Sequence, residues 1–481
     1  MSVLRDYRNH DGLGLAALVR SGEVTPRDLL ETAIDAAETV NPPLNALSQK
    51  LYDLGEQMVE ALPARDSSGG AFAGVPFLLK DISAMLAGTV TTQGSALFAN
   101  FMATSDSTLV ERYKRTGAVI FGKTTTPELA MAASTESSFC GTTRNPWDLS
   151  RTSGGSSGGA AAAVAAGIVP VAHASDGGGS IRIPASCCGL FGLKPSRART
   201  PNGPFSGEGW GSLSVAHVIS RSVRDSAAML DATHGPAPGD PYCAPYYGGR
   251  FLDEVTTPPG SLRIAFQRTP LSGVPVATEC RQAADDAARL LESLGHHVEE
   301  VQLPGDWTEL AQAMWVLVAS NVSRTVKQRA AALGRDASPA DVDRAIWNAV
   351  EFSNSLPVES YPDALATIHL QGRRMAGFHE RFDVVMSPTL AQPPVLLGTQ
   401  HTNNPDSEAY GRALAEFIPF TQIFNLTGQP SMSVPLHWTD GSLPVGVMFS
   451  APFGDEATLF RLAGQLEKAR PWFSRVPGSL T

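Results

Sequence analysis

From Ala73 onward, short apolar runs alternate with stretches whose apolar residues recur every three or four positions. GVPFLLK is followed by STLVERYKRTG and then by AVIFGKT, an order of strand, helix and strand that predicts a sheet covered by helices. SLRIAF, HHVEEVQL, FDVVMSP and PVGVMFS read as further strands. Upstream, Thr25-Pro26-Arg27-Asp28 leads into LLETAIDAAETV. A capping threonine, a proline at the first helical position and an acidic first turn ahead of an apolar stripe predict a helix, expected to stop near Asn41-Pro42-Pro43. Between about Gly305 and Gly377 the strand pattern gives way to a helical section with Trp307, Met314, Trp315 and Trp347. This section is a candidate cap over a site, although core packing is the ordinary role of any one such aromatic. No internal repeat or low-complexity linker interrupts the chain, and Gly/Pro clusters near 236–249 and 393–405 read as surface loops.

The length of 481 residues admits two or three average domains, yet large α/β enzymes of this size often fold around one extended sheet. Hydrophobic residues make up 43% and charged residues 17%, a balance that builds a well-buried core. A formal charge of −10 argues against nucleic acid as a partner, because binding phosphates needs clustered Lys and Arg. The N-terminal MSVLRDYRNHDGLGLAALVR spreads charges through every turn, and no run reaches membrane-spanning length, so neither a secretory leader nor a membrane partner is expected. Cys140, Cys187, Cys188, Cys243 and Cys280 are five in number and lack C-x-x-C spacing. That pattern argues against a disulfide framework or a metal site and fits a reducing cytoplasm.

Two Gly-Ser clusters carry the candidate chemistry. Gly154-Gly155-Ser156-Ser157-Gly158 matches the G-x-S-x-G of a nucleophile elbow, but an elbow needs an apolar strand running straight into the serine. The residues from Asn145 to Ser153 have turn chemistry instead, and His217, His234 and His437 have no neighbours that mark a triad partner. The second cluster is Ser175-Asp176-Gly177-Gly178-Gly179-Ser180-Ile181-Arg182. Successive glycines let backbone N–H groups converge on one point, as an oxyanion hole requires, although the same run also suits an ordinary turn. Neither cluster ends in the G-K-[ST] of a phosphate loop. Lys80 closes the apolar run GVPFLLK. Such a lysine is usually a surface residue, but if buried among apolar walls and hydroxyls it loses its proton and can act as a base.

Together, GVPFLLKD, GGSSGG and DGGGSIRIPASCCGLFGLKP resemble the amidase signature family of Ser-Ser-Lys hydrolases, in order and with steps of 76 residues from Lys80 to Ser156 and 24 from Ser156 to Ser180. GKTTTPELAMAASTES, GTTRNPWDLSRTSGGSSGG, ISRSVRD and GQPSMSVPLHWTDGSLPVGVMFS extend the resemblance over nearly the whole chain, the helical section after Gly305 being least typical. The resemblance implies an α/β fold, one domain over 1–481 with a large twisted mixed sheet covered by helices on both faces and a signature core at about 68–235. It implies Ser180 as nucleophile, Ser156 as a bridging serine on a cis peptide bond and Lys80 as base. The oxyanion hole falls to the backbone of Gly177, Gly178, Gly179 and Ser180, and Ser157, Asp176 and Arg182 support the hydroxyl network. Gly177 departs from the family, which often carries a larger residue there, and Asp81 is expected to face away as the strand alternates. No metal or organic cofactor enters the implied chemistry.

Met131, Ala132, Cys187 and Trp315 are candidate linings of an apolar acyl pocket. The expected substrate is a small neutral aryl or alkyl amide or carbamate, cleaved by a monomer or homodimer. The resemblance is strongest to stand-alone bacterial amidases, including those acting on nylon-type oligoamides. Two other readings stand beside it: the glutaminase subunit of a tRNA amidotransferase, which requires a partner and a charged pocket, and a non-catalytic binding protein on the same fold.

Overall fold

A computed structural model describes residues 6–62 and 70–478. Eleven strands form one mixed sheet. In chain order they are β1 (Leu47–Lys50), β2 (Pro76–Lys80), β3 (Val119–Thr124), β4 (Val171–Asp176), β5 (Phe191–Lys194), β6 (Val215–Ser220), β7 (Arg263–Phe266), β8 (His297–Glu300), β9 (Val384–Pro388), β10 (Ser431–Trp438) and β11 (Pro444–Ser450). Across the sheet they run β1-β3-β2-β4-β6-β5-β10-β11-β9-β7-β8. β2 lies parallel to both β3 and β4, β9, β7 and β8 are parallel at the far edge, and the strands between pair antiparallel.

All six predicted strands form. Four strands that the pattern does not mark, β4, β5, β6 and β10, complete the centre of the sheet, and β1 adds an edge. Every residue of β2, β3 and β4 is buried, as happens when helices cover both faces of a sheet and no face is left to be polar. The helix Gly158–Ala165 reads GGAAAAVA and is buried at nearly every position. Its small side chains let it press onto the sheet, and a Cβ at Gly159 would lie 2.4 Å from Thr125 Oγ1.

The helix forms with Thr25 as the expected cap, closed into a capping box by Asp28, and runs Pro26–Leu44, ending one residue past the expected Asn41-Pro42-Pro43. Pro42 and Pro43 sit in its last turn, where the chain is about to leave the helical ladder. Asn45 then adopts the left-handed conformation and donates its N–H to Asn41 O, while the Asn41 side chain accepts from the N–H groups of Ala46 and Leu47.

The region 305–377 is helical, as the pattern predicts, with helices Trp307–Ala332, Arg344–Ser355 and Ser360–Phe378. The expected start of the signature core near 68 lies outside the described residues.

Candidate active site

β2 and β4 are parallel neighbours, so the segments leaving their C-terminal ends emerge at one rim of the sheet, where open α/β sheets place their sites. Lys80 ends β2 and is fully buried. Its backbone N–H donates to His173 Nδ1 at 3.1 Å, and its Nζ donates to Ser156 Oγ at 2.7 Å and Ser175 Oγ at 3.1 Å. Burial pulls the Lys80 ammonium down to about 7 against the opposing charge of Asp176, because a low-dielectric site disfavours the charged form. His173 is likewise driven down to about 3, by burial and then by the charges of Lys80 and His217. Asp81 turns away, accepting from Thr92 Oγ1 at 2.6 Å and Gln49 Nε2 at 3.2 Å, with Lys123 Nζ at 3.8 Å.

Ser156 reaches Lys80 from the loop before helix Gly158–Ala165, and the Gly155–Ser156 peptide is cis. The loop threads tightly against Ser134; a Cβ at Gly155 would lie 2.6 Å from the Ser134 carbonyl oxygen. Ser157 is buried beside it, donating to Ser175 O at 3.2 Å and accepting from Ser175 N at 3.4 Å. What precedes the loop is a small hairpin, Arg144–Asn145 with Asp148–Thr152, whose second strand is part-exposed. The apolar lead-in of a nucleophile elbow is absent.

The loop after β4 is organised by the Asp176 carboxylate. It accepts from Arg182 Nε at 2.9 Å and Nη2 at 3.0 Å, from Asn425 Nδ2 at 2.8 Å and from the backbone N–H groups of Gly179 at 2.7 Å and Ile181 at 3.2 Å. Burial alone would favour the neutral acid, but the Arg182 guanidinium overrides it and holds Asp176 well below the usual carboxylate range. One expectation is thereby corrected. The Gly179 N–H is not free for an oxyanion, because Asp176 occupies it. Among the described residues, the N–H groups of Gly177, Gly178 and Ser180 donate to no other backbone group or side chain. Thr421 Oγ1 donates to Gly178 O at 2.7 Å, so the Gly178–Gly179 peptide is held from both sides.

Ser180 lines a cavity of about 350 Å³ together with Gly178. The Lys80–Ser156 contact is closed, whereas no hydrogen bond joins Ser156 to Ser180 in this arrangement. Catalytic hydrogen bonds are often open in an empty site and tighten when substrate binds.

Met131, Ala132 and Trp315 line the cavity as expected, alongside Met314, Trp210, Leu414 and Ile418. Cys187 does not. It sits near the end of helix Arg182–Cys188, wholly buried, where a Cβ on Gly154 would lie 3.2 Å from its Sγ; Ile183, one turn earlier on the same face, lines the cavity, and the further turn takes Cys187 into the core. The polar groups at the cavity wall are neutral. Tyr410 donates to Met131 O at 2.9 Å, Asn348 donates to Ser407 Oγ at 2.8 Å, and among the described residues no Asp, Glu, Lys, Arg or His lines the wall.

Sequence reasoning missed Ser175, although it opens the very cluster that drew attention and contacts Lys80. It also missed Thr421, Gln422 and Asn425, which arrive at the loop from about 240 residues downstream with no local pattern to announce them.

The family model for amidases matches residues 28–460. This chain belongs to the amidase signature family. Amidases of this family are hydrolases acting on amide carbon–nitrogen bonds, and the large mixed sheet with flanking helices is the architecture of their solved structures. The chain is 34% identical over 480 residues to a 6-aminohexanoate-cyclic-dimer hydrolase of Pseudomonas sp. (strain NK87), covering 97% of this amidase and 96% of that protein. A structure of 6-aminohexanoate cyclic dimer hydrolase complexed with substrate matches with a TM-score of 0.92 at 33% identity, over 99% of this chain and 100% of that one. A bacterial aryl acylamidase matches with a TM-score of 0.87 at 29% identity, over 96% of each chain. Among the described residues, no helix of this amidase is long and apolar enough to cross a membrane.

Proposed function

We propose that this amidase cleaves the C–N bond of neutral aryl or alkyl amides or carbamates through an acyl-enzyme on Ser180. The observation that carries the proposal is the 2.7 Å contact between Lys80 Nζ and Ser156 Oγ, made by a buried amine brought down to about 7. At neutral pH about half of such amines are uncharged and able to accept a proton.

Neutral Lys80 takes the proton of Ser156, which takes that of Ser180 as its oxygen attacks the carbonyl carbon. The oxyanion is received by the N–H groups of Gly177, Gly178 and Ser180, each worth about 3 kcal/mol in comparable sites. Collapse breaks the C–N bond. The proton held on Lys80 returns through Ser156 to the nitrogen, so an amine departs and Ser180 is left acylated. Water then attacks by the same relay, releasing the acid and restoring the Ser180 hydroxyl. Ser157 and Ser175 support the relay from below, and Asp176 and Arg182 hold the loop that carries Ser180.

The uncharged wall supports a neutral substrate. The α-ammonium and α-carboxylate of glutamine would each lose water without meeting a charged partner there, a cost of several kcal/mol, which disfavours the glutaminase reading. Carbamates need no additional group, since breaking their C–N bond expels the amine and leaves a carbonate ester of Ser180 that water clears by the same relay.

The test compares Ser180→Ala, Ser156→Ala and Lys80→Ala on an anilide, with a fluorophosphonate to label the nucleophile. Loss of at least about a thousandfold in each, and labelling at Ser180 alone, is expected. Full activity in Ser180→Ala would end the proposal, and a protein that no serine-directed probe labels would revive the binding-protein reading.

A further inference from the structure

Gly177 carries no side chain, and the space beside it is filled from elsewhere in the chain. Trp210 lies there. A Cβ built on Gly177 would fall 2.8 Å from Trp210 Cε3 and 3.0 Å from Cζ3, so the six-membered ring of the indole rests directly on the loop that carries Ser180. Trp210 is half-buried and also lines the cavity. One ring thus touches the loop and faces the space a substrate would enter.

The backbone that delivers this ring is unusual. Trp210, Gly211 and Ser212 have φ of 51°, 62° and 67°, and a bulky residue at positive φ persists only where its surroundings impose it. Several contacts do so. Gly209 and Ser214 form a bridge that closes the turn, Arg197 Nε donates to Ser212 O at 3.0 Å, and Asn425 Nδ2 donates to Leu213 O at 3.1 Å. A Cβ on Gly211 would lie 2.9 Å from Tyr361 Oη, so the helical section presses on the turn from above. Asn425 also holds Asp176, which couples the placement of the ring to that of the loop.

Met314 packs on the next residue of the loop, its Cε 3.0 Å from where a Cβ on Gly178 would lie, and lines the same cavity. A flat group entering toward Ser180 would thus meet an indole and a thioether on the cavity wall, both of which favour aromatic partners.

We propose that Trp210 is the specificity-determining residue of this amidase, a fixed aromatic platform that selects substrates with an aryl ring next to the scissile bond. This rests on the reading of Ser180 as the nucleophile. Two substrate pairs test it: benzamide against hexanamide, with the ring on the carbonyl side, and acetanilide against N-hexylacetamide, with the ring on the nitrogen side. In Trp210→Leu, which keeps apolar bulk but removes the ring, the aryl-to-alkyl ratio of kcat/KM in one pair falls about five- to tenfold. The pair that responds identifies the side on which the ring sits. Trp210→Phe restores most of the aryl rate.

Equal losses for aryl and alkyl members, or no loss for either, would overturn the assignment. Fluorophosphonate labelling keeps the two readings apart. Ser180 labelled at the wild-type rate in Trp210→Leu, with unchanged thermal unfolding, leaves the nucleophile intact, so a flat substrate profile then refutes the platform alone. Absence of labelling in the wild type refutes the reading beneath it.

Discussion

Replacing Lys80 with methionine should abolish activity and yet leave a protein whose stability relative to the wild type depends on pH in one direction. Burial takes Lys80 from 10.5 to about 7 in the folded chain. Between those values the unfolded chain holds a proton that the folded chain has given up, so wild-type stability rises with pH across this window. Each pH unit is worth about 1.4 kcal/mol, which makes the burden of burying Lys80 about 4 kcal/mol at pH 7 and about 2 kcal/mol at pH 9. Methionine is free of it. The variant loses the contacts to Ser156 and Ser175, at about 1 kcal/mol or more each, but that loss does not change with pH. The gap between variant and wild type should therefore move by about 2 kcal/mol against the variant from pH 7 to pH 9. Urea unfolding followed by tryptophan fluorescence at the two pH values measures it. Lys123, brought down to about 8, and Lys194, brought down to about 7, titrate in both proteins and cancel. A gap that stays constant, or moves the other way, would refute the claim that Lys80 is neutralised by burial. The same titration should appear in catalysis, with wild-type kcat/KM rising as pH passes through about 7.

Three further outcomes follow from the geometry. Thr421→Val frees the Gly178 carbonyl without changing the cavity charge, and should lower kcat about tenfold with KM within about twofold, since the misaligned donors serve the transition state; an unchanged kcat would mean that the loop is held without Thr421. Gly155→Ala forces a methyl into the Ser134 backbone, 2.6 Å away, and should cost about 2 kcal/mol or more of stability, read as a fall in Tm together with lost activity. Timed alkylation with iodoacetamide should modify exposed Cys243 first and spare Cys187, Cys188 and Cys280 until the chain is unfolded; early labelling of Cys187 would put it back at the pocket.

What the sequence revealed depended on how local each signal is. Lys80 was legible because an apolar strand ending in lysine, followed by two Gly-Ser clusters at set distances, is contained in contiguous motifs. The strands with clear boundaries were legible for the same reason, whereas β4 was hidden because burial on both faces removes the alternation that marks a strand. Gly179 was misread because composition shows that three glycines can turn their N–H groups toward one point but not which of them a neighbouring carboxylate will capture. Cys187 was misread because closeness in sequence does not give depth: Ile183 reaches the cavity, and one turn further along the same helix Cys187 is already in the core. Thr421 and Asn425 were invisible because their contacts cross the whole chain. The left-handed turn at Trp210 had only Gly209 and Gly211 to signal it, and nothing to say where the indole would go.

The wall of the cavity draws mainly on segments far down the chain from the relay. Lys80, Ser156 and Ser180 all come from the first 180 residues, while Met314, Trp315, Tyr410, Leu414 and Gln422 come from beyond 300. The proposed relay is thus encoded in the first half of the polypeptide, while most of the wall around it, with Trp210 and Met131 among the exceptions, comes from the second, and the two meet at one rim. Such a division lets the wall residues of the later segments drift, or be exchanged by an engineer, to admit new acyl groups while the proton path is inherited intact, so long as Thr421 and Asn425 still hold the loop.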